Sequence, residues 1–330
     1  MTKFTTTNQL LLHSYSSIIK HIKIGTPNGV PVLYCIKAYN SDKTDYNLHK
    51  MVSKDLKIED IHNSLVEGIK KFFSANGREK GVIGLSGGLD SAVVATLAVK
   101  ALGKENVHGL IMPSEFSTLH SIQDAVDLAD NLDIEYHIIP ISTIYKKFLK
   151  ELQPIFGKEN KWNVAEEHLQ TRIRGALLMA YANKFNALLL NTTNKSELSV
   201  GYGTLYGDLA GAVMVLGDLY KSDVYEIAHH INTIASVIPH SSITKAPSDE
   251  LRYEQKDNDS LPDYSELDPL LYAMHEEGKE YGQLVKEGYS EEIVEKISLL
   301  RERSKIKLLQ SPPVLNISRK PLVHETKWIL

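Results

Sequence analysis

Six consecutive residues, Ser86-Gly87-Gly88-Leu89-Asp90-Ser91, carry the most chemically pointed pattern in the chain. The two glycines permit positive φ and let the backbone approach phosphate oxygens closely, and Ser86 and Ser91 add hydroxyl donors. No lysine follows the glycines, so this is not the G-x-x-x-x-G-K-S/T loop that cradles β and γ phosphates. Asp90 would repel a bare phosphate and makes sense where Mg²⁺ bridges its carboxylate to a nucleotide. The plainer reading, a glycine turn with an aspartate at a helix start, suits a lone SGG; the flanking elements argue against it.

Residues 81–86 (GVIGLS) read as a buried strand, and SAVVATLAVKAL, which begins at Ser91, repeats apolar residues at helical spacing. The six residues therefore join a strand to the first turn of a helix, where backbone N–H groups and the helix dipole favour an anion. Further strands are expected at 107–112, 136–141 and 186–191, and helices over 121–132, 165–183, from 221 onward and over 290–309. This alternation predicts an α/β fold: a doubly wound, mostly parallel sheet with helices on both faces and nucleotide at the carboxyl ends of its strands. The polar, proline-bearing stretch 240–265 reads as a mobile loop. Residues 1–50 read as an amino-terminal extension of unknown role.

The SGGxDS pattern resembles the loop of the ATP pyrophosphatase group, whose members break ATP between its α and β phosphates and leave AMP on the substrate for a nucleophile to displace. Four further segments narrow the resemblance. LLNTTNKSELSVGYGTLYGDLAGAVMVLGDLYKSDVYEIA (189–228), QTRIRGALLMAYAN (170–183), MPSEFSTLHSIQDA (112–125) and the lid-like TKAPSDELRYEQKDNDSLPDYSELD (244–268) are similar to NAD synthetase, above all the synthetase domain of its glutamine-dependent form. The resemblance implies an adenine nucleotide alpha-hydrolase-like domain over residues 51–330. It also implies a ligase that adenylates the carboxylate of nicotinic acid adenine dinucleotide and lets ammonia displace AMP, with ATP as co-substrate, Mg²⁺ as metal and a homodimer as the assembly.

Carried onto this chain, the resemblance puts Gly84, Leu85, Ser86, Gly87, Gly88, Leu89, Asp90 and Ser91 on ATP, together with Thr192, Lys221 and Ser248. It puts Asp90 and Glu197 on Mg²⁺, and Arg172, His168, Glu197, Asp208 and Lys307 on the dinucleotide. Asp90, Lys221 and Asp208 are the catalytic candidates. Taken alone, Lys221 and Glu197 read as solvated charges at helix ends; the match around them gives them roles. Arg174 and Gln170 share the neighbourhood of Arg172 and could equally be structural, since interior arginines often only hold helices together. Asn191 replaces a glycine of the family pattern, His168 an asparagine and Leu308 a basic residue, while Leu205 stands where the shorter ammonia-dependent enzymes carry lysine.

Glutamine-dependent relatives carry a nitrilase-type glutaminase domain ahead of the synthetase, and only about 57 residues precede the matching region here. The expectation is free ammonia as nitrogen donor, or ammonia delivered by a separate glutaminase partner. Cys35, the single cysteine, reads as a small core residue and excludes an intrachain disulfide. A net charge of -4, from 37 basic and 41 acidic residues, gives no reason to expect nucleic acid or an anionic membrane as partner. No stretch is apolar enough for a signal or a membrane span, which makes the cytoplasm the expected compartment. Two rivals remain: a tRNA-thiolating relative, which predicts a basic surface and more cysteines, and an idle nucleotide-binding protein, which need not keep Asp90 and Glu197.

Overall fold

Two apolar runs of five residues, KGVIG and VHGLI, are too short for stable helices and form adjacent strands, β1 (Lys80–Gly84) and β2 (Val107–Ile111). β3 (Glu135–Ile138), β4 (Ala187–Asn191) and β5 (Val213–Met214) complete a five-stranded sheet ordered β3-β2-β1-β4-β5, parallel throughout. The computed structural model describes residues 56–157, 162–318 and 320–322. The extension expected at 1–50, with Cys35, lies outside the described residues.

Helices cover both faces. In chain order they are α1 (Ile58–Ala75), α2 (Leu89–Leu102), α3 (Leu119–Asn131), α4 (Ser142–Phe156), α5 (Val164–Phe185) and α6 (Lys195–Val200). There follow α7 (Lys221–Ile234), α8 (His240–Thr244), α9 (Tyr264–His275), α10 (Tyr281–Lys286) and α11 (Glu291–Leu308). The pleat of β1 shows the layering: a Cβ on Gly81 would touch Phe73 of α1 and Leu102 of α2, whereas one on Gly84 would touch Leu178 of α5. Val82 packs with Ile173 and Ala182 of α5 and Tyr145 of α4. The doubly wound sheet expected from the sequence is the one observed.

The strand order locates the functional end of the sheet. The chain runs outward from β1 to β2 and β3, then returns to place β4 on the other side of β1. The segments leaving β1 and β4 therefore diverge, and their carboxyl ends open a crevice at this switch point. The turn after β1 leads into α2, and the turn after β4 into α6.

Residues 240–265 correct the sequence reading. They contain α8, a short 3-10 turn at Asp257–Asp259 and the start of α9. Buried Ile243, Leu251 and Leu261 anchor them, and Gln170 Nε2 donates to the Leu251 carbonyl at 2.7 Å. Polar composition concealed this because the apolar anchors are sparse and their partners are distant in sequence. Behind α6, Val200 joins a core with Leu267, Leu270 and Leu271 of α9 and Val294 and Ile297 of α11. No helix of the described residues is long and apolar enough to cross a membrane.

Candidate active site

The turn after β1 closes on itself. Gly88 N–H donates to Ser86 Oγ at 3.1 Å, Ser91 Oγ donates to the Gly88 carbonyl at 3.0 Å, and the two serine hydroxyls lie 3.1 Å apart. Gly87 adopts φ +78, and a Cβ there would sit 2.1 Å from the Ser121 carbonyl oxygen, so only glycine fits. Ser242 of α8 donates to the Gly87 carbonyl at 2.9 Å, pinning the turn from outside.

Three charged side chains from three helices meet beside this turn. Lys221, first residue of α7, makes an ion pair with Asp90 of α2, and its Nζ lies 3.9 Å from Glu197 Oε1 of α6. The lysine side chain is only 3% exposed, and a buried ammonium of this kind persists only when paired. Burial alone would depress its pKa, but the charges of Asp90 and then Glu197 hold it above its ordinary value. Glu197 moves the same way for the opposite reason: burial, then the Asp90 carboxylate, hold its carboxyl well above the usual range. Tyr264 presents its ring 5.4 Å from Lys221 Nζ.

A cavity of about 280 Å³ opens from this cluster. Of the residues expected on nucleotide, Gly84, Leu85, Ser86, Gly88, Leu89, Asp90, Ser91, Thr192, Lys221 and Ser248 line it, as do Glu197 and Asp208. Gly87 is buried behind the wall. Asp249 also faces the cavity; although open to its water, the protein around it, with Asp257 and Asp208, pushes its carboxyl up to about 8.

Arg172, His168 and Lys307 do not line this cavity. They form a second, cationic cluster. Burial, then the charges of Lys307 and Arg172, lower the His168 pKa. Burial also lowers Lys307, opposed by Asp208. Lys307 Nζ donates to the Gly201 and Gly203 carbonyls at 2.6 Å each, while exposed Arg172 donates to the Leu205 carbonyl at 3.2 Å. Asp208 connects the two regions, because it lines the cavity and lies within electrostatic reach of Lys307. Burial raises the Asp208 carboxyl against the Thr204 N–H that hydrogen-bonds it.

Sequence reading passes over several residues of this region. Asn194 is fully buried between Asp90 and Glu197; the Asn-x-x-Glu capping pattern of 194–197 is its legible signal. Asp257, a cavity-lining residue held by the hydroxyls of Tyr202 and Tyr264 at 3.2 and 3.0 Å, carries none. Arg174, left open between a substrate and a structural role on its sequence, lines the cavity and donates from Nε to the Met112 carbonyl at 3.0 Å. Lys195, fully buried, donates to Asp218 at 3.0 Å, Glu276 at 2.7 Å and Ser318 at 3.2 Å, tying α6 to the carboxy-terminal segment.

The donor set suits a divalent cation shared with a ligand. Asp90 and Glu197 place two carboxyl groups around one ammonium, and a divalent cation there would favour the ionised form of Glu197 that burial opposes. No cluster of three or more metal-ligating side chains occurs among the described residues. Mg²⁺ commonly takes one or two protein carboxylates and fills its shell with phosphate oxygens and water.

A parallel α/β sheet with a glycine turn and paired charges at its switch point defines a protein of the adenine nucleotide alpha-hydrolase type. The chain belongs to the NAD synthase family, whose model matches residues 61–311. It is 45% identical over 260 residues to a glutamine-dependent NAD(+) synthetase of Synechocystis sp., covering 79% of this chain and 46% of that protein. The chain thus spans about half the length of the curated relatives it matches. Similar solved structures include the following three. NMN synthetase from Francisella tularensis is 33% identical with a TM-score of 0.66, covering 77% of this chain and 96% of that one. NH3-dependent NAD synthetase from Campylobacter jejuni is 32% identical with a TM-score of 0.62, covering 76% and 96%. Glutamine-dependent NAD+ synthetase from Acinetobacter baumannii, in complex with ADP, is 35% identical with a TM-score of 0.57, covering 84% and 52%.

Proposed function

We propose that this chain makes NAD from nicotinic acid adenine dinucleotide, ATP and ammonia. The observation that carries the reading is the meeting of Asp90, Glu197 and Lys221, from three helices, beside the 86–91 turn at the sheet's switch point. The turn receives the phosphates on its backbone N–H groups, with Thr192 and Ser248 on the same cavity wall. Lys221 exchanges its carboxylate partner for a phosphate oxygen and stabilises the charge that builds on departing diphosphate. Mg²⁺, held by Asp90 and Glu197, would neutralise the phosphates.

The substrate carboxylate attacks the α-phosphorus, diphosphate leaves, and the resulting acyl adenylate carries AMP as its leaving group. Ammonia then adds to the acyl carbon and expels AMP. Asp208, its carboxyl raised above the usual range by burial, lines the nucleotide cavity within electrostatic reach of the cationic cluster, where it can take the proton that ammonium must lose. Arg172, His168 and Lys307 hold the anionic dinucleotide. Because Arg172 is exposed, we read their cluster as half of a site completed by a second copy of the chain in a cytoplasmic homodimer.

Similarity over 96% of an NH3-dependent NAD synthetase supports free ammonia as donor; the match to glutamine-dependent enzymes supports delivery by a separate glutaminase as the alternative. A second acceptor is raised by the likeness to an NMN synthetase: a mononucleotide. Pure protein is incubated with ATP, Mg²⁺ and ammonium or glutamine, with the dinucleotide or the corresponding mononucleotide as acceptor. AMP and NAD formed together from dinucleotide and ammonium are expected. AMP without NAD would assign another acceptor, and no AMP with either would reject the activation chemistry.

A further inference from the structure

Asp90 and Glu197 sit on the first turns of different helices, α2 and α6, and their separation depends on what links those turns. Two residues do so. One is Lys221, which reaches both carboxylates but must turn toward phosphate when nucleotide binds. The other is Asn194, wholly buried and carrying no charge. Its Nδ2 donates to Asp90 Oδ1 at 3.1 Å, on the opposite oxygen from Lys221. Its Oδ1 accepts the Glu197 N–H at 3.0 Å, and its own N–H donates to Glu197 Oε2 at 3.2 Å. One residue thus grips one carboxylate with its side chain and the other with its backbone.

We propose that Asn194 is a positioning residue that fixes the spacing of Asp90 and Glu197 so that both face a single divalent cation once Lys221 has moved to the nucleotide. The inference rests on the proposed use of magnesium-bound ATP. A neutral amide suits this role because it orients a carboxylate by donating a hydrogen bond yet leaves the carboxylate's negative charge for the cation. A lysine or arginine there would compete with the metal. The neighbours of Asn194 hold it in turn. Lys195 is buried in its ionic clamp, and Ser196 Oγ accepts the Lys221 N–H at 2.9 Å. Three consecutive residues therefore tie α6 to the turn carrying Asp90, to the carboxy-terminal segment and to the start of α7.

Serine retains an N-cap oxygen for the Glu197 N–H but cannot reach Asp90, so Asn194→Ser separates the tether from the cap, whereas Asn194→Ala removes both. The measurements are Mn²⁺ affinity by electron paramagnetic resonance with a non-hydrolysable ATP analogue present, analogue affinity in EDTA, and Tm. Asn194→Ser is expected to weaken Mn²⁺ binding about tenfold, as befits loss of one charge-assisted hydrogen bond, with metal-free analogue affinity and Tm close to wild type. Asn194→Ala should show the same metal defect with a lowered Tm. Unchanged Mn²⁺ affinity in Asn194→Ser would overturn the proposal and leave Asn194 a helix cap. If wild-type protein bound the Mn²⁺–analogue pair but made no NAD, the functional reading would fail, while the comparison of variants would still decide the role of Asn194.

Discussion

The cavity beside the 86–91 turn and the cationic cluster are linked through Asp208, yet they are built differently. The cavity draws on the ends of β1 and β4, the first turns of α2, α6 and α7, and the segment around Ser248. Its key charges are nearly buried: Lys221 is 3% exposed, Glu197 15% and Asp90 18%. The cluster has exposed Arg172 on the flank of α5 and Lys307 near the end of α11, whose ammonium donates two hydrogen bonds to its own backbone surroundings. Paired burial makes the first region electrostatically preorganised; in the second, Arg172 is exposed while His168 and Lys307 are half-buried. Activation chemistry should therefore be sensitive to single substitutions within the cavity, and acceptor binding to the cluster and its assembly.

The largest effect tests the cavity. Lys221→Gln should lower AMP release at saturating acceptor by about a thousandfold; a loss below tenfold would place the phosphates elsewhere. Next comes the support beneath the cavity. Lys195→Met leaves Asp218 and Glu276 buried without their cation and should destabilise the fold by about 3–5 kcal/mol in urea unfolding. A loss under about 1 kcal/mol would show that the clamp contributes little.

Arg172→Ala should raise KM for the dinucleotide about 10–100-fold without altering KM for ATP, since it removes an anion contact outside the cavity. Equal shifts in both constants would erase the distinction between the regions. The smallest effect is a pH dependence. His168 is held below its ordinary pKa by burial and by Lys307 and Arg172, so its contribution to folding is present above the unfolded value and lost as pH falls through the lowered folded value. An anionic substrate reverses the repulsion and draws a proton on. KM for the dinucleotide should therefore be a few-fold lower near pH 6 than near pH 8, with His168→Asn flattening the trend. A profile unchanged by that substitution would remove His168 from the cluster.

Local patterns are readable where the physics is local. The 86–91 turn declares itself through two glycines between an apolar strand and an apolar helix, and Gly87 does occupy positive φ where no Cβ fits. The alternation of strands and helices announces the doubly wound sheet. Residues 240–265 escape because their anchoring depends on partners such as Gln170, 81 residues from Leu251. The role of Arg174 stays open in the sequence because nothing in a helix sequence says which face meets a cavity.

By itself, the sequence determined the glycine turn, the helix caps and the residue types able to handle phosphate, since each follows from backbone geometry or side-chain chemistry within a few positions. Tertiary structure decided which charges meet. Asp90 finds Asn194 across 104 residues and Lys221 across 131, and only the order β3-β2-β1-β4-β5 brings those turns to one crevice. Burial then raises the carboxyls of Glu197 and Asp208 above their usual range. Desolvation and Coulomb interaction depend on distance in space, and no spacing along the chain encodes that distance.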